Sequence, residues 1–475
     1  MSVKDEMSRR DVVKAAGAIG VTAAAALRTE GFPAIQKVRA ANDQVQFGMI
    51  GTGSRGSYHL KHLKSLDSAR CVALCDIQQT ALDHGVQTIG NNPKTYKDYR
   101  ELLAQKDVEA VFVTTPVWLH FQMTRDALQA GKHVFCEKCL VFKPEEVHEL
   151  RALYSQFPKQ VLQTGLQRRY SRFYQMVKQM VDKGILGEVK HIHAQWHRNM
   201  VNTPSSLWTM KPGGPSNPNN WRLYRQFSGG YTAELASHQV DVADWMFGSS
   251  PDFVMGLGGL DTLKDGRDVY DNIQLIYQYS GGRKFTYSAI STNQFCPYFD
   301  GQRHECGEII MGTEGTIETT VGDDVNHAVA WWYPEPPKRA KLTNASDKKS
   351  EKFVAGATMV TAGGPVRPIP LPFDDMSITG NDGFLTREAK FARRWLYSKG
   401  IMTQQEEANP VDTEQISFFQ NCRDLKTPRA DINVGLADAV AVILSNLAMD
   451  EGRKVYYSEM EKLGLPGEAK PAKKA

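Results

Sequence analysis

The sequence predicts an α/β protein: a doubly wound parallel sheet followed by an α+β domain with a large open, mostly antiparallel sheet. Three observations support this. Strand–turn–helix patterns repeat from Gln44 to about residue 165, a glycine-rich turn follows the first strand, and strand patterns succeed one another after residue 166. The chain has 475 residues, which leaves room for two domains with extensions.

The composition excludes several classes of protein. Apolar residues make up 41% and charged residues 23%, as in ordinary globular chains. The net charge of +4 is too small for nucleic-acid binding by bulk charge, so no nucleic-acid partner is expected. No uncharged apolar run has the length of a membrane span, so none is predicted in the mature protein. Seven cysteines, an odd number, do not suggest a disulfide scaffold.

Residues 1–43 are predicted to be an export signal or N-terminal arm. Ser8-Arg9-Arg10-Asp11-Val12-Val13-Lys14 resembles the twin-arginine motif, and the uncharged stretch Ala15–Leu27 has the length of a signal-peptide core. The segment predicts the twin-arginine export machinery as a partner and a periplasmic or otherwise exported location. An apolar N-terminal helix is the alternative, and the segment is either cleaved near Ala40-Ala41 or retained as an anchor.

Residues 44–165 are predicted to form the first domain. Alternating strands and helices favour a parallel sheet with helices on both faces. The predicted strands are Val45–Ile50, Cys71–Cys75, Val108–Val113, His133–Cys136 and Val161–Thr164.

Residues 166–460 are predicted to form the second domain, with a polar, proline-rich insertion at about 322–376 and a disordered tail over 461–475. A loop is predicted from Pro204 to Asn220, and helices over Glu234–Phe247, Asp412–Cys422 and Leu436–Gly452. The predicted strands are Ile185–His197, Asp252–Leu257, Ile273–Tyr279, Lys284–Asn293, Glu308–Met311 and Thr316–Thr320. Within the insertion, Trp331-Trp332-Tyr333 could equally stack on a sugar ring or pack against protein.

The glycine-rich turn predicts a dinucleotide site. Gly51 permits a tight turn, Gly53 lets the backbone approach a pyrophosphate, and Gly56 lets the helix pack on the strand. The pyrophosphate would sit at the positive N-terminus of the helix. Asp76, 20 residues beyond Gly56, would bind a ribose diol and repel a 2′-phosphate, which favours NAD over NADP.

Cys136-Glu137-Lys138-Cys139 ends another predicted strand of the same sheet, where ligands bind in such folds. An oxidised nicotinamide beside Lys138 would favour the neutral amine, which could take a proton from a substrate hydroxyl. By residue type alone, a surface lysine is the simpler interpretation.

These residues, in order, resemble the Gfo/Idh/MocA family of oxidoreductases, which includes glucose–fructose oxidoreductase and inositol dehydrogenase. The resemblance covers nearly the whole chain beyond residue 44. It is carried by the glycine turn, Asp76, Thr115-Pro116-Val117-Trp118-Leu119-His120, Ala130-Gly131-Lys132-His133-Val134, Glu137-Lys138, Gly165-Leu166-Gln167-Arg168-Arg169-Tyr170, Gly184-x-x-Gly187-Glu188-Val189, Ser228-Gly229-Gly230, Glu234, His238-Gln239-Val240-Asp241 and Gly312-Thr313-Glu314-Gly315-Thr316.

The resemblance implies an N-terminal Rossmann domain and specific site residues. Lys138 corresponds to the family's catalytic lysine, and Glu234 and His238 to its Asp-x-x-x-His pair. Two departures are Cys139 in place of a proline and Glu234 in place of an aspartate. The implied cofactor contacts are Gly51, Thr52, Gly53, Ser54, Arg55, Gly56, Asp76, Thr115, Pro116, His120, Glu137 and Lys138, with Arg168, Trp221 and Arg222 lining the cleft between the domains.

The expected function is an exported NAD-dependent oxidoreductase that acts on a hydroxyl of a sugar, glycoside or polyol, possible products including a 3-keto sugar. Because free NAD is scarce outside the cytoplasm, the cofactor would be tightly bound and recycled by a second substrate. The alternatives are a redox-neutral NAD-dependent glycoside hydrolase and a non-enzymatic sugar-binding module. By analogy with the family, a homodimer or homotetramer is expected.

No metal site is predicted. Cys136-x-x-Cys139 has no second pair at zinc-site spacing. His191, His193 and His197 alternate with apolar residues, so the polar face of a half-buried strand is the favoured interpretation.

Overall fold

The computed structural model describes residues 44–294, 305–320, 330–335, 369–371, 379–401 and 409–465. The predicted export segment, most of the predicted insertion and the tail after residue 465 lie outside these ranges. Within the predicted tail, Glu461 ends a 3₁₀ turn, and the Leu463 carbonyl accepts a hydrogen bond from His148 Nε2 at 3.0 Å.

The first sheet has six parallel strands, which confirms the predicted doubly wound domain. Their order is β3-β2-β1-β4-β5-β6, so the strand order reverses between β1 and β4, the position at which such sheets bind ligands. The strands are β1 Val45–Ile50, β2 Ala69–Cys75, β3 Lys94–Tyr96, β4 Ala110–Val113, β5 His133–Glu137 and β6 Leu162–Gly165. The helices between them are α1 Ser54–Leu63, α2 Gln79–Ile89, α3 Tyr99–Leu103, α4 His120–Gln129 and α5 Pro144–Tyr154.

Among the described residues, the second sheet has nine strands and is antiparallel except between β7 and β10, which confirms its predicted character. The order is β14-β13-β12-β11-β7-β10-β9-β8-β15. The strands are β7 Val189–His197, β8 Phe253–Gly259, β9 Asn272–Gln278, β10 Lys284–Ile290, β11 Cys306–Gly312, β12 Gly315–Thr320, β13 Ala330–Pro334, β14 Ile369–Pro370 and β15 Val455–Tyr456.

Five further helices of the described chain follow the first domain in sequence: α6 Arg172–Asp182, α7 Ser237–Phe247, α8 Phe384–Ser398, α9 Pro410–Asp424 and α10 Ile432–Glu451. α10 is the one helix of the described residues that is long and apolar enough to cross a membrane, and most of it is buried inside the protein. It packs on β8 and α7, so its apolar character belongs to the core.

A late helix completes the core of the first domain. Phe418 and Phe419 of α9 are buried against the first sheet, where the Phe418 ring lies 5.3 Å from that of Phe112 and 5.7 Å from that of Phe135. Rings at these separations add attraction beyond the area they bury. Helix α9, although late in the sequence, therefore packs against the first sheet and belongs to the core of the first domain.

Two described pieces of the predicted insertion are strands. β13 and β14 extend one end of the second sheet, and the ring of Trp332 stacks on that of Trp395 from α8 at 5.9 Å. Trp332 is 7% exposed. Trp332 therefore packs against protein, which is one of the two roles, sugar stacking or packing, left open for these aromatic residues.

Candidate active site

A cavity of about 910 Å³ lies at the carboxyl ends of β1, β2, β4 and β5 and extends to the second domain. Its walls contain both the predicted dinucleotide residues and the predicted catalytic residues. The predicted site residues that line it are Gly51, Gly53, Ser54, Arg55, Asp76, Thr115, Pro116, His120, Glu137, Lys138, Trp221, Arg222, Glu234 and His238.

The three glycines have the geometry that the motif requires. Gly51 has a φ of 93°, and a Cβ there would lie 2.9 Å from the Thr114 carbonyl oxygen. A Cβ on Gly56 would lie 2.1 Å from the Gly51 carbonyl oxygen, so the helix can approach the turn only without a side chain. A Cβ on Gly53 would meet nothing within 4 Å. This open space at the N-terminus of α1 fits a pyrophosphate.

Asp76 is held in place by the turn. Its Oδ2 accepts a hydrogen bond from the Thr52 backbone N–H at 2.8 Å, and its Oδ1 accepts one from the Gln78 N–H at 2.8 Å. Thr52 is 1% exposed and does not line the cavity. Its role is therefore to orient the Asp76 carboxylate, which lines the cavity.

Glu137 is the centre of a buried ionic cluster. Its Oε1 accepts hydrogen bonds from Arg55 Nε at 2.5 Å and His59 Nε2 at 2.7 Å. Burial alone would raise the pKa of Glu137, but the Arg55 charge and the His59 hydrogen bond lower it well below its usual range. A permanently ionised Glu137 carboxylate therefore lies beside Lys138. Its Oε2 also accepts a hydrogen bond from the Lys138 backbone N–H at 3.1 Å.

His59 was not identified from the sequence, although its position four residues after Arg55 places both on one face of α1. Burial and the charge of Arg55 lower the pKa of His59 to about 4. The ring is thus neutral: Nε2–H donates to Glu137 and Nδ1 accepts from Gln415 Nε2 at 2.8 Å.

Lys138 is held by the second domain. Its Nζ donates to the backbone carbonyls of Ala233 at 3.1 Å and Glu234 at 2.8 Å. These carbonyls belong to a π-helical turn, Thr232–Ala236, which precedes α7. The sequence predicted an α-helix here, and the wider turn is a feature that recurs at functional sites.

Glu234 and His238 both line the cavity, as their spacing predicted. Glu234 Oε2 accepts from Arg222 Nε at 2.9 Å, and the guanidinium of Arg222 lies 4.2 Å from the centre of the Trp221 ring. Burial alone would raise the pKa of Glu234, but the charges of Lys138 and Arg222 outweigh this effect and lower the pKa below its usual value. The group is therefore ionised. Burial, followed by the charge of Lys138, lowers the pKa of His238 well below its usual value, so this imidazole is neutral.

His120 joins two loops of the site. One ring nitrogen lies 2.7 Å from the Cys139 carbonyl oxygen and the other 2.9 Å from that of Thr115. Since carbonyls only accept, both nitrogens must carry a proton. Burial lowers the pKa of His120, but Cys136 and the two carbonyls raise it more, to about 9. This imidazolium fixes the segment that follows Lys138.

The prediction that Arg168 lines the cleft between the domains needs correction. It does not line the cavity and is 4% exposed, paired with the fully buried carboxylate of Glu308. Its guanidinium lies 5.8 Å from the ring centre of Trp196, which itself lines the cavity. Arg168 therefore supports the wall from inside the protein, and Gly56, which also does not line the cavity, acts through packing.

The described residues contain no cluster of three potential metal ligands. Cys136 and Cys139 are buried and free. His193 Nδ1 lies 2.8 Å from Thr286 Oγ1, and His197 Nε2 lies 2.9 Å from Ser288 Oγ, which are contacts with the neighbouring strand β10.

Two family models match the chain and together cover more than half of it. One is described as the oxidoreductase family's NAD-binding Rossmann fold and matches residues 45–164. The other is described as the same family's C-terminal alpha/beta domain and matches residues 178–345.

Relatives match the chain to different extents. Inositol 2-dehydrogenase of Rhizobium meliloti is 26% identical over 71% of this chain and 92% of the relative. An uncharacterized oxidoreductase of Synechocystis is 30% identical over 48% of this chain, and the match spans 57% of the relative. A glycosyl hydrolase family 109 protein of Shewanella is 30% identical over 42% of this chain and 49% of the relative.

Solved structures share the fold. Scyllo-inositol dehydrogenase from Lactobacillus casei, with bound NAD(H) and scyllo-inositol, has a TM-score of 0.58 and 17% identity over 87% of this chain and 99% of its own. A levoglucosan dehydrogenase in complex with NADH and levoglucosan has a TM-score of 0.61 and 16% identity over the same shares.

Proposed function

Because the chain belongs to the Gfo/Idh/MocA oxidoreductase family, we propose that it is an NAD-dependent oxidoreductase acting on a hydroxyl of a sugar, glycoside or polyol. One observation carries the proposal: an amine and a neutral imidazole, Lys138 and His238, line the same cavity as the glycine turn and Asp76. The names of its relatives, inositol and levoglucosan dehydrogenases, agree with a polyhydroxylated substrate.

The residues at the first domain's end of the cavity fit NAD. The backbone of Gly53 and Ser54 at the start of α1 would hold the pyrophosphate, and Asp76 would accept hydrogen bonds from the ribose hydroxyls. Bound NAD supplies the acceptor or donor of the hydride. Glu137, with Arg55 and His59, would fix the floor of the site close to the reacting carbon.

The proton of the substrate hydroxyl requires a separate acceptor. We assign it to Lys138, which lines the cavity and whose Nζ is fixed by two carbonyls. His238, being neutral, can accept a hydrogen bond from the same or a neighbouring hydroxyl. Glu234, oriented by Arg222, can bind a further hydroxyl, as a polyol substrate offers.

The test has two parts. The protein is purified without added cofactor and denatured, and the released nucleotide is assayed. The native protein is then incubated with sugars and glycosides, and the products are weighed by mass spectrometry. A product lighter by two hydrogens supports the proposal, whereas failure to retain or bind NAD contradicts it.

A second candidate is redox-neutral glycoside hydrolysis, favoured by the similarity to the Shewanella glycosyl hydrolase family 109 protein. Transient oxidation at one carbon would acidify its neighbour and allow the leaving group to be eliminated. Release of a free sugar with unchanged oxidation level from a glycoside would identify this activity. A protein that binds a sugar and converts none of the compounds would instead be a binding module.

Asp76 predicts the cofactor preference. In Asp76→Ser, loss of the charge and its hydrogen bonds is expected to lower the ratio of kcat/KM with NAD to that with NADP by roughly 10- to 100-fold. Steady-state kinetics with both cofactors measure the ratio. Asp83→Ser, which changes an exposed aspartate on the following helix, should leave it unchanged. Equal ratios in wild type and Asp76→Ser would refute the assignment.

We further propose that the protein is exported by the twin-arginine route with NAD already bound and that a second substrate regenerates the cofactor in place, with a 3-keto sugar as one product. The support for the export route is the Arg9-Arg10 motif with its short apolar stretch. In a twin-arginine-competent host, the wild type should reach the periplasm and the double variant Arg9→Lys, Arg10→Lys should stay in the cytoplasm. Equal export of the two would contradict the route.

We also propose that the protein forms a homodimer or homotetramer through the open face of the second sheet. Met255, Leu257 and Ile276 on β8 and β9 are 43%, 73% and 46% exposed, an apolar surface of the kind that marks interfaces. Leu257→Glu is expected to reduce the mass measured by light scattering, whereas Leu425→Glu, at an exposed leucine directly after α9, should not. A monomeric wild type would overturn the proposal.

A further inference from the structure

We propose that Asp438 is a positioning residue for Lys138: its carboxyl, buried against the Cys139 thiol, sets how readily the amine of Lys138 gains and loses a proton. The inference deepens the proposed function, because it concerns the group assigned there to proton transfer. Its test is designed to give a result even if the protein turns over no substrate.

Asp438 is an unusual group for the core. It lies on α10 and is 2% exposed, and neither carboxylate oxygen has a well-formed hydrogen bond with the described residues. The polar side chain that approaches it is the Cys139 thiol. A buried carboxyl without good partners is costly, so its presence calls for an explanation in function.

The packing of α10 places this carboxyl close to the catalytic amine. A Cβ on Gly435 would lie 2.1 Å from Thr164 Oγ1, so the helix approaches the first sheet as closely as glycine allows. Asp438 lies one turn further along the same face. There it meets Cys139, whose Sγ lies 3.6 Å from the Ala233 carbonyl oxygen. The Lys138 Nζ donates to that same oxygen at 3.1 Å.

The charges around Asp438 leave Lys138 as its available counter-ion. Arg169 is paired with Asp241 at 2.8 Å, and Asp244 accepts a hydrogen bond from Tyr279 at 2.6 Å. Lys138 has no carboxylate within ion-pair distance in the described chain. The other titratable or charged groups around Asp438 and Lys138 are Cys139, Tyr277, Tyr457, Glu234, His238, Glu137 and His120.

Burial raises the pKa of Asp438 and the charge of Asp241 raises it further, while Lys138 lowers it, with a result of about 7. The charge of the Asp438 carboxyl therefore changes near neutral pH. When the carboxyl is neutral, Lys138 loses its proton more easily and is the better base. When it is ionised, the ammonium is stabilised and is the better proton donor for the reverse reaction.

The test measures the amine directly. Full-length wild type and Asp438→Asn are labelled with an amine-reactive anhydride across a pH series, and modification of Lys138 is quantified by peptide mass spectrometry. Because asparagine cannot become negative, the pH midpoint for labelling of Lys138 is expected to fall by about one unit. The rising limb of the pH profile of oxidation should move in the same direction.

Glu414→Gln is the matched control. Glu414 is likewise a buried carboxyl without a hydrogen-bond partner among the described residues, but it lies near Arg55 and Glu137. This variant should leave the labelling midpoint of Lys138 unchanged, and an unchanged midpoint in Asp438→Asn would overturn the inference. If Asp438→Asn does not fold, Asp438→Ser serves the same comparison. A shifted midpoint in a protein without turnover would separate this inference from the proposed function.

Discussion

Replacement of Lys138 by alanine is expected to lower kcat/KM by roughly 10²- to 10⁴-fold, the usual contribution of a positioned general base. The physical reason is that hydride transfer from a hydroxyl-bearing carbon needs a place for the hydroxyl proton. In this cavity that place is the Nζ held by the Ala233 and Glu234 carbonyls. NAD content and thermal stability should change little, because the pyrophosphate and ribose contacts are assigned to Gly53, Ser54 and Asp76 and not to this side chain.

The measurement is steady-state kinetics together with quantification of released NAD from the same preparation. Lys61→Ala, which removes an exposed lysine of α1, should keep wild-type turnover. Full activity in Lys138→Ala would assign proton transfer elsewhere in the cavity. Loss of bound NAD along with activity would show that the lysine holds the cofactor and does not act on the substrate.

Replacement of Glu308 by alanine is expected to destabilise the fold by roughly 3–5 kcal/mol, because it leaves the buried guanidinium of Arg168 without its counter-charge. Glu308 is fully buried and also accepts hydrogen bonds from Tyr174 Oη at 2.7 Å and Thr319 Oγ1 at 2.6 Å. Urea unfolding followed by fluorescence measures the loss.

Two comparisons show whether this loss comes from an unpaired charge. Glu188→Ala, at an exposed pair with Lys190, should change the free energy of unfolding by less than about 0.5 kcal/mol. The double variant Arg168→Met, Glu308→Leu should recover much of the stability and keep NAD affinity. A double variant that folds well and no longer binds NAD would restore Arg168 to the cofactor site.

The parts of the site that depend on local geometry could be predicted from the sequence. The turn at Gly51, Gly53 and Gly56 follows from which backbone positions exclude a Cβ, and Asp76 follows from its place at the end of the next strand. The glycine turn and Asp76 can each be identified from the residues in a short stretch of chain. The parallel sheet followed from the alternation of apolar strands with helices in the same way.

Features that depend on distant parts of the chain could not be predicted. In the sequence, His59 has no feature that separates it from an ordinary helix residue, because its partner Gln415 comes from the distant helix α9. Arg168 lies in a motif shared with the family, and its partner Glu308 arrives from a strand 140 residues later. The π-helical turn at Thr232–Ala236 has no residue pattern that separates it from α-helix, yet its carbonyls hold Lys138.

The central claim is that NAD occupies the cavity with its nicotinamide beside Lys138 and His238, and a crystal structure of the protein with bound NAD measures this most directly. The account predicts a pyrophosphate at the start of α1, a ribose on Asp76, and the nicotinamide C4 facing both of these side chains across a space the size of a hydroxyl-bearing carbon. A nicotinamide ring turned away from Lys138, or a dinucleotide bound outside this cavity, would contradict it.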